Sequence, residues 1–459
     1  NLYVRIGRWN VPGRPVAVLV DFQPYFAMKN DIYTRLWEDY GVDSLHAYGD
    51  YDEASMFSYA AGLVVESYYN HVLKGQCEHV VYQAHEWMTG LGALYIQKHV
   101  PEVATIFTTH ATTIGRSIAG NHKPLYEYLF AYNGNQMAQE LNVQSKHSIE
   151  RETAHHVDCF TTVSEVTNRE CAELLDKPAD VVLMNGFEKD FVPSKALFAR
   201  KRREARRKLR EVAGALLGTE FDDDVMIIST SGRYEFRNKG IDLYMEAMNR
   251  SLRNKDLTRK ILAFVQVPGW VCCPREDLKE RLDSGKACDT PLQWPLLTHW
   301  LHEMSHDQVI DYMKRYNMWN QPEDKVKVIF VPCYLDGADG IFNMHYYDLL
   351  IGMDLTVYAS YYEPWGYTPL ESVAFHVPCV TTNLSGFGLW VNQLLGKEGE
   401  LADGVQVVRR TDYNSSEVAD AIKDAITAYS AFTPHEVENI RHKAADISEH
   451  ALWKHFIQY

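Results

Sequence analysis

The sequence predicts an α/β protein of two facing, doubly wound, Rossmann-like domains, the second interrupted by a helical insertion. Three observations lead there. Apolar runs recur along the chain, continuous rather than alternating, as parallel strands covered on both faces require. Amphipathic stretches lie between most of them, such as "GIDLYMEAMNRSL", with Ile241, Tyr244, Ala247 and Met248 on one helical face. At 459 residues the chain exceeds a single hydrophobic core, so two lobes of roughly 200 residues are expected.

In chain order, "PVAVLVDF", "HVVYQAH", "VATIFTTHA", "CFTTVSE" and "DVVLMNG" read as strands of a first domain, residues 1–195. Residues 196–222 read as a helical linker, whose basic run "ARKRREARRKLR" from Ala199 is a solvated helix face rather than an anion site. "VMIISTS", "KILAFVQVP", "VKVIFVP", "LTVYAS", "PCVTTN" and "GVQVVRR" supply the strands of a second domain, residues 223–440. Within it, "PLLTHWLHEMSHDQVIDYMKRY" marks a mostly helical insertion over about 275–325, and 441–459 is a C-terminal helix. Strand-helix units on both sides of the linker make two doubly wound sheets, with strand ends set across one cleft.

Hydrophobic residues at 46% and charged residues at 23% are ordinary for a soluble globular protein. No apolar run reaches the ~18 residues of a membrane span. A net charge of −15 argues against nucleic acid as a partner, since phosphate backbones need a basic face. The eight cysteines show no CxxC spacing and read as reduced core residues of a cytoplasmic protein. The chain opens on Asn1 rather than Met, so the absence of a targeting signal decides little.

Polar groups cluster where strands end. "AHEW" carries His85 and Glu86, "TTHATTIGR" carries His110 and Arg116, and "SGRYEFRNKG" carries Arg233 and Lys239. Two guanidiniums and an ammonium are the charge a diphosphate needs, and Lys239 stands just before a helix whose N-terminal amides favour anions. "YYEPWGYTPLES" follows the strand "LTVYAS" and places Glu363 past its tip, with no local partner in view, so a ligand hydroxyl is its expected partner. Thr368-Pro369-Leu370-Glu371 reads as a capping box, which gives Glu371 a structural duty. "HEMSH", His302 to His306, fits the HExxH zinc pattern but lacks the metzincin glycine, where Val309 stands, so no metal is expected. His155-His156 reads as helix packing, and "SGFG" as a flexible glycine turn.

With these strings assembled, the chain resembles the glycogen synthases of the animal and fungal type, retaining glycosyltransferases of the GT-B fold, as a bacterial member. "HEW", "IFTTHAT..GR", "FTTVSE", "NG", "GRYEF.NKG.D" and "YYEPWGYTP.E" stand in that family's order. The resemblance implies that Arg233 and Lys239 hold the donor's diphosphate, with Arg116 contributing from the opposite lobe. Glu363 matches a hydroxyl-positioning, charge-stabilising glutamate, Tyr346 a tyrosine that stacks on uracil, and Glu371 a glutamate reaching the ribose. His110 and Glu86 match residues near the reacting sugar; Gly366, Tyr367 and Thr368 match a loop whose amides meet the phosphates. His85 and Asn185, of "HEW" and "NG", join the substrate-binding set.

The implied activity is retaining transfer of glucose from UDP-glucose to the 4-hydroxyl of an α-1,4-glucan, without cofactor. A starch-synthase-like transferase using ADP-glucose and a non-catalytic glycogen-binding scaffold are the alternatives. A homo-oligomer, a tetramer through the insertion, is implied as well. The family's Lys-x-Gly-Gly loop has no counterpart, which implies that about the first hundred residues of the natural chain are not represented. In "RHKAADISEHALW" the family's arginine-rich helix shrinks to Arg441 and Lys443, with Asp446 at a third basic position, so little response to glucose-6-phosphate is expected.

Overall fold

The computed structural model describes residues 2–11 and 13–457, in two units, one ending at Met184 and one beginning at Asn185. The boundary expected at 195 therefore moves to 184/185.

In the first unit, β3 (Val81–His85), β4 (Ala104–Thr109), β5 (Cys159–Thr162) and β6 (Val181–Val182) form a parallel sheet in that order. Phe107 and Phe160 pair in register, fully buried and stacked at 5.9 Å, between flanking helices. The run "PVAVLVDF" departs from expectation. Its strand, β2 (Val16–Asp21), pairs antiparallel with β1 (Tyr3–Arg8) in a hairpin outside the parallel sheet. Ile6 and Leu19 of that hairpin are each 68% exposed. Its hydrogen bonds go to the adjacent segment, a choice that hydrophobicity alone does not reveal.

The second unit holds six parallel strands: β7 (Met226–Ser231), β8 (Ile261–Gln266), β11 (Val326–Val331), β12 (Leu355–Val357), β13 (Cys379–Thr382) and β14 (Val405–Val408). They lie in the order β11-β8-β7-β12-β13-β14. Counted along the chain this is the 3-2-1-4-5-6 order of a dinucleotide-type sheet, which reverses between β7 and β12. One sheet face packs Met226, Ile228, Ala263, Val265 and Val328 against helix Ile241–Ser251. That helix buries Leu243 and Met245 in addition to the expected stripe.

The basic run lies in helix Lys195–Leu217, which belongs to the second unit and is not a solvated linker. Arg202 and Arg206 each reach Asp354 at 2.8 Å, and Asp354 sits just before β12 with its side chain 5% exposed. Burial pushes the Asp354 carboxyl up, but the Arg206 and Arg202 guanidiniums outweigh it and hold it below the ordinary carboxylate range. Their remaining hydrogen bonds go to the carbonyls of Ile351, Gly352, Met353, Asp223 and Val225.

The insertion is mixed rather than mostly helical. β9 (Val271–Pro274) pairs antiparallel with β10 (His299–Leu301), and helices cover only Glu276–Ser284 and Gln308–Arg315. Arg275, fully buried, explains why "WPLLTHWL" is not a helix. Its guanidinium takes the carbonyls of Gln293, Trp294 and Leu297, which a helix would have bonded to its own amides, and lies 4.4 Å over the Trp300 ring. "HEMSH" falls on bends after β10, off any helix, so its histidines lack the one-turn spacing of a zinc site.

The C-terminal helix runs from Pro434 to His450, with Trp453–Phe456 as a separate short turn; residues 458 and 459 lie outside the described residues. "SGFG" opens helix Gly386–Leu395, with Ser385 as its cap, and is not a flexible turn. His155 and His156 end helix Gln144–His156 and bond backbone carbonyls. Of the cysteines, Cys171, Cys333 and Cys379 are buried, whereas Cys77, Cys272 and Cys273 are exposed, against the core reading.

Candidate active site

Where a parallel sheet reverses its strand order, the loops leaving the two central strands diverge and open a crevice. Here those loops leave β7 and β12. They carry "GRYEFRNKG" and "YYEPWG", and the backbone ties them together: Asn238 O accepts from Tyr361 N at 2.9 Å and Tyr362 N at 3.1 Å. Gly240, at φ +69°, allows this closeness, because a Cβ there would collide with Ala359 O.

Lys239 and Glu363 meet on this frame. The ammonium lies 2.6 Å from Glu363 Oε2, with side chains 12% and 13% exposed, and Ser360 Oγ donates to the same oxygen at 3.3 Å. Glu363 thus has a local partner after all. Arg233 stays apart, 63% exposed and paired with Glu235 at 3.3 Å.

After Glu363 the chain turns through Gly366, at φ +111°, into helix Tyr367–Ala374. A Cβ on Gly366 would come within 2.9 Å of Ser385 Oγ. The capping box expected at Thr368 is not formed. The helix starts two residues earlier, with Gly366 as its cap, which leaves the amides of Gly366, Tyr367 and Thr368 without a side-chain cap. Glu371 instead accepts from Tyr347 Oη at 2.8 Å, and burial raises its carboxyl to about 7 against that hydrogen bond. Tyr346, half-buried, bonds Ser231 Oγ at the tip of β7 at 2.7 Å. Asn185 opens the second unit beside Gly186, which packs on Trp453; among the described residues no hydrogen bond links it to these loops.

In the first unit, the tips of β3 and β4 bring His85 Nδ1 and His110 Nε2 to 3.0 Å, with stacked rings. Burial, then the charge of His85, pushes His110 down to about 4, so its imidazole is neutral at pH 7. Glu86 sits at φ +65°, a costly conformation for glutamate. Its Oε1 accepts from His110 N at 3.0 Å. Burial raises the Glu86 carboxyl, opposed by the His110 amide and Arg116. Arg116 itself is exposed, with no ion pair among the described residues.

The sequence reading missed Asn238, Tyr347 and Ser231, whose parts depend on contacts across the fold. It also missed Tyr334, 75% exposed at the tip of β11 beside Leu335, whose carbonyl accepts from Tyr346 N. Tyr334 stands three residues past Val331, the end of β11, and nothing in the sequence around it marks it out. Buried Arg410 donates to Ala359 O and lies 5.3 Å over the Tyr361 ring, bracing the same loop.

Comparison with known proteins decides the family. The glycogen synthase family pattern matches residues 1–273 and 276–459. The chain belongs to the glycogen synthase family. A relative, glycogen [starch] synthase of Neurospora crassa, is 27% identical over 98% of this chain and 71% of its own length. The liver glycogen [starch] synthase of Rattus norvegicus is 28% identical over 89% of the chain, which spans 64% of that relative. The fold is also that of α,α-trehalose 6-phosphate synthase from Burkholderia multivorans, with a TM-score of 0.54 at 11% identity, covering 99% of this chain and 85% of that one. Such neighbours establish the GT-B α/β architecture. As a glycogen synthase family member, the chain is a glycosyltransferase of glucosyl transfer in glycogen synthesis. No helix among its described residues is long and apolar enough to cross a membrane.

Proposed function

We propose that this cytoplasmic enzyme transfers glucose from UDP-glucose to the non-reducing 4-hydroxyl of an α-1,4-glucan with retention. The observation that carries this is the Lys239–Glu363 pair at the reversal point of the second sheet, beside a helix start with uncapped amides. Those amides and Lys239 suit a diphosphate, with Arg233 as a further cation; Arg116 joins them through the family resemblance alone. Tyr346 offers a π face to the base, and Glu371, held by Tyr347, offers a carboxylate to the ribose.

A glycosidase retains configuration with two carboxylates about 5–5.5 Å apart. The partners of Glu363 are instead Lys239 and Ser360. The reading that fits is departure on one face: the C1–phosphate bond breaks, the acceptor O4 bonds to C1 from the same side, and the O4 proton passes to the leaving phosphate oxygen. Lys239 stabilises the charge growing on that phosphate, while Glu363 accepts a hydrogen bond from a sugar hydroxyl. Competing UDP-glucose against ADP-glucose tests the donor: preference for ADP-glucose would favour the starch-synthase-like alternative, and absence of any transfer the scaffold. Because side-chain cations neutralise the diphosphate, EDTA is expected to leave the rate unchanged; a zinc-reversible loss would contradict this. A tetramer rests on the resemblance alone, and light scattering giving the mass of one chain would end it.

The expected indifference to glucose-6-phosphate gains a different physical basis. Arg441 does not stand alone: burial, then Arg202, lowers it to about 9, and its Nη2 has no hydrogen-bond partner among the described residues. Three guanidiniums therefore gather near Asp354, which already acts as their anion, and an incoming phosphate must displace or repel it. Titration at subsaturating donor is expected to activate less than about fivefold, a coupling of ~1 kcal/mol; a larger response would show that Asp354 yields.

A further inference from the structure

Between β4 and helix Thr113–Gly120 runs a short turn that carries His110 and leads into Arg116. Buried carboxylates from separate elements hold it. Glu86 accepts from His110 N, and Glu170, on helix Glu165–Leu174, accepts from Thr112 Oγ1 at 2.7 Å. Glu150, on helix Gln144–His156 and 0% exposed, spans the turn. Its Oε1 takes Thr109 Oγ1 at 2.7 Å at one end, and its Oε2 takes Thr113 N at 2.8 Å at the other. The fit is tight, since a Cβ on Gly115 would collide with Glu170 Oε2.

We propose that Glu150 is a positioning residue for glucosyl transfer, bracing both ends of the turn so that His110 and Arg116 are held in place. The proposal rests on the assignment of those two residues to the donor. Glutamine would make the same two contacts, so it separates the brace from the titration of the carboxyl. Burial, and then Glu86, raises the Glu150 carboxyl to about 8. At neutral pH it therefore keeps its proton, donating to Thr109 Oγ1 while Oε2 still accepts from Thr113 N. As pH rises through that value it ionises beside Glu86 on the β3 side, with Glu170 and Cys171 on helix Glu165–Leu174 and His110 on the turn; only the hydrogen bonds from Thr109 and Thr113 favour the charged form, while Arg116 acts on Glu86. The neighbouring carboxylates then repel it and the turn loosens, so activity is lost on the alkaline side.

The test is a pH–rate profile of full-length wild type, Glu150→Gln and Glu150→Ala, with His110→Ala and Arg116→Ala alongside. Glu150→Gln is expected to keep kcat within about threefold at pH 7 and to lose the alkaline fall near pH 8. Glu150→Ala is expected to lower kcat about tenfold or more, with little change in KM, as a group acting only through positioning should. An unchanged alkaline limb in Glu150→Gln, which retains the fold's hydrogen bonds, would overturn the proposal even if Glu150→Ala fails to fold. Full activity of His110→Ala and Arg116→Ala would instead overturn the assignment of the turn to the donor, and the proposal with it.

Discussion

Replacing Lys239 by alanine in the full-length enzyme lowers kcat at saturating donor by roughly 10²–10³, the usual cost of losing one group that stabilises developing charge. Lys239 is set for this work: it is nearly enclosed, its backbone is fixed by Gly240 against Ala359, and it lies 2.6 Å from Glu363. The change also leaves Glu363 without its counter-ion. Removing one partner of a buried pair costs about 3–5 kcal/mol; the residual exposure here, and the Ser360 hydroxyl, put this case at the low end. Arg233→Ala is expected in the same range of kcat through the same phosphate charge, although Arg233 is turned toward Glu235. Turnover within about threefold of wild type would remove either residue from charge stabilisation.

Glu363→Gln is expected to lower kcat by roughly the same 10²–10³ while tightening UDP binding. Glutamine keeps the shape and one acceptor oxygen, so Ser360 and a sugar hydroxyl can still be met. It removes the negative charge that Lys239 faces across 2.6 Å. The ammonium, no longer shared, then binds the product diphosphate more strongly, because an opposite charge at close range in a poorly hydrated site counts for more than in water. Calorimetry with UDP separates this account from simple misfolding: weaker UDP binding together with unchanged kcat would show that Glu363 belongs to the phosphate frame rather than to the transition state.

The second sheet was legible because its strands are continuous apolar runs, and strand tips are where ligand-facing residues stand in a parallel sheet. Lys239 and Glu363 could be named for that reason. Their pairing could not, because it joins positions distant in the chain through a contact that only the β7–β12 adjacency creates. The same holds for Arg202 and Arg206: their run reads as exposed charge, and the buried Asp354 that claims them lies just before β12. Two T-x-x-E strings show how context decides. At Thr433 the capping box forms, with Pro434 in the first turn and Glu436 reaching back. At Thr368 it does not, since Gly366 already turns the chain and Tyr347 takes Glu371. The β1–β2 hairpin and the Arg275-centred insertion escaped for a related reason: local hydrophobicity says that a segment can be buried, not which partner takes its hydrogen bonds.

The most direct test of the central claim is to supply UDP-glucose labelled at C1 to the full-length enzyme with glycogen, and to read the new linkage by NMR. Label incorporated at chain ends as α-1,4-linked glucose, with UDP released in equal amount, is the predicted result. Release of free glucose without transfer, or a β-linked product, would contradict it.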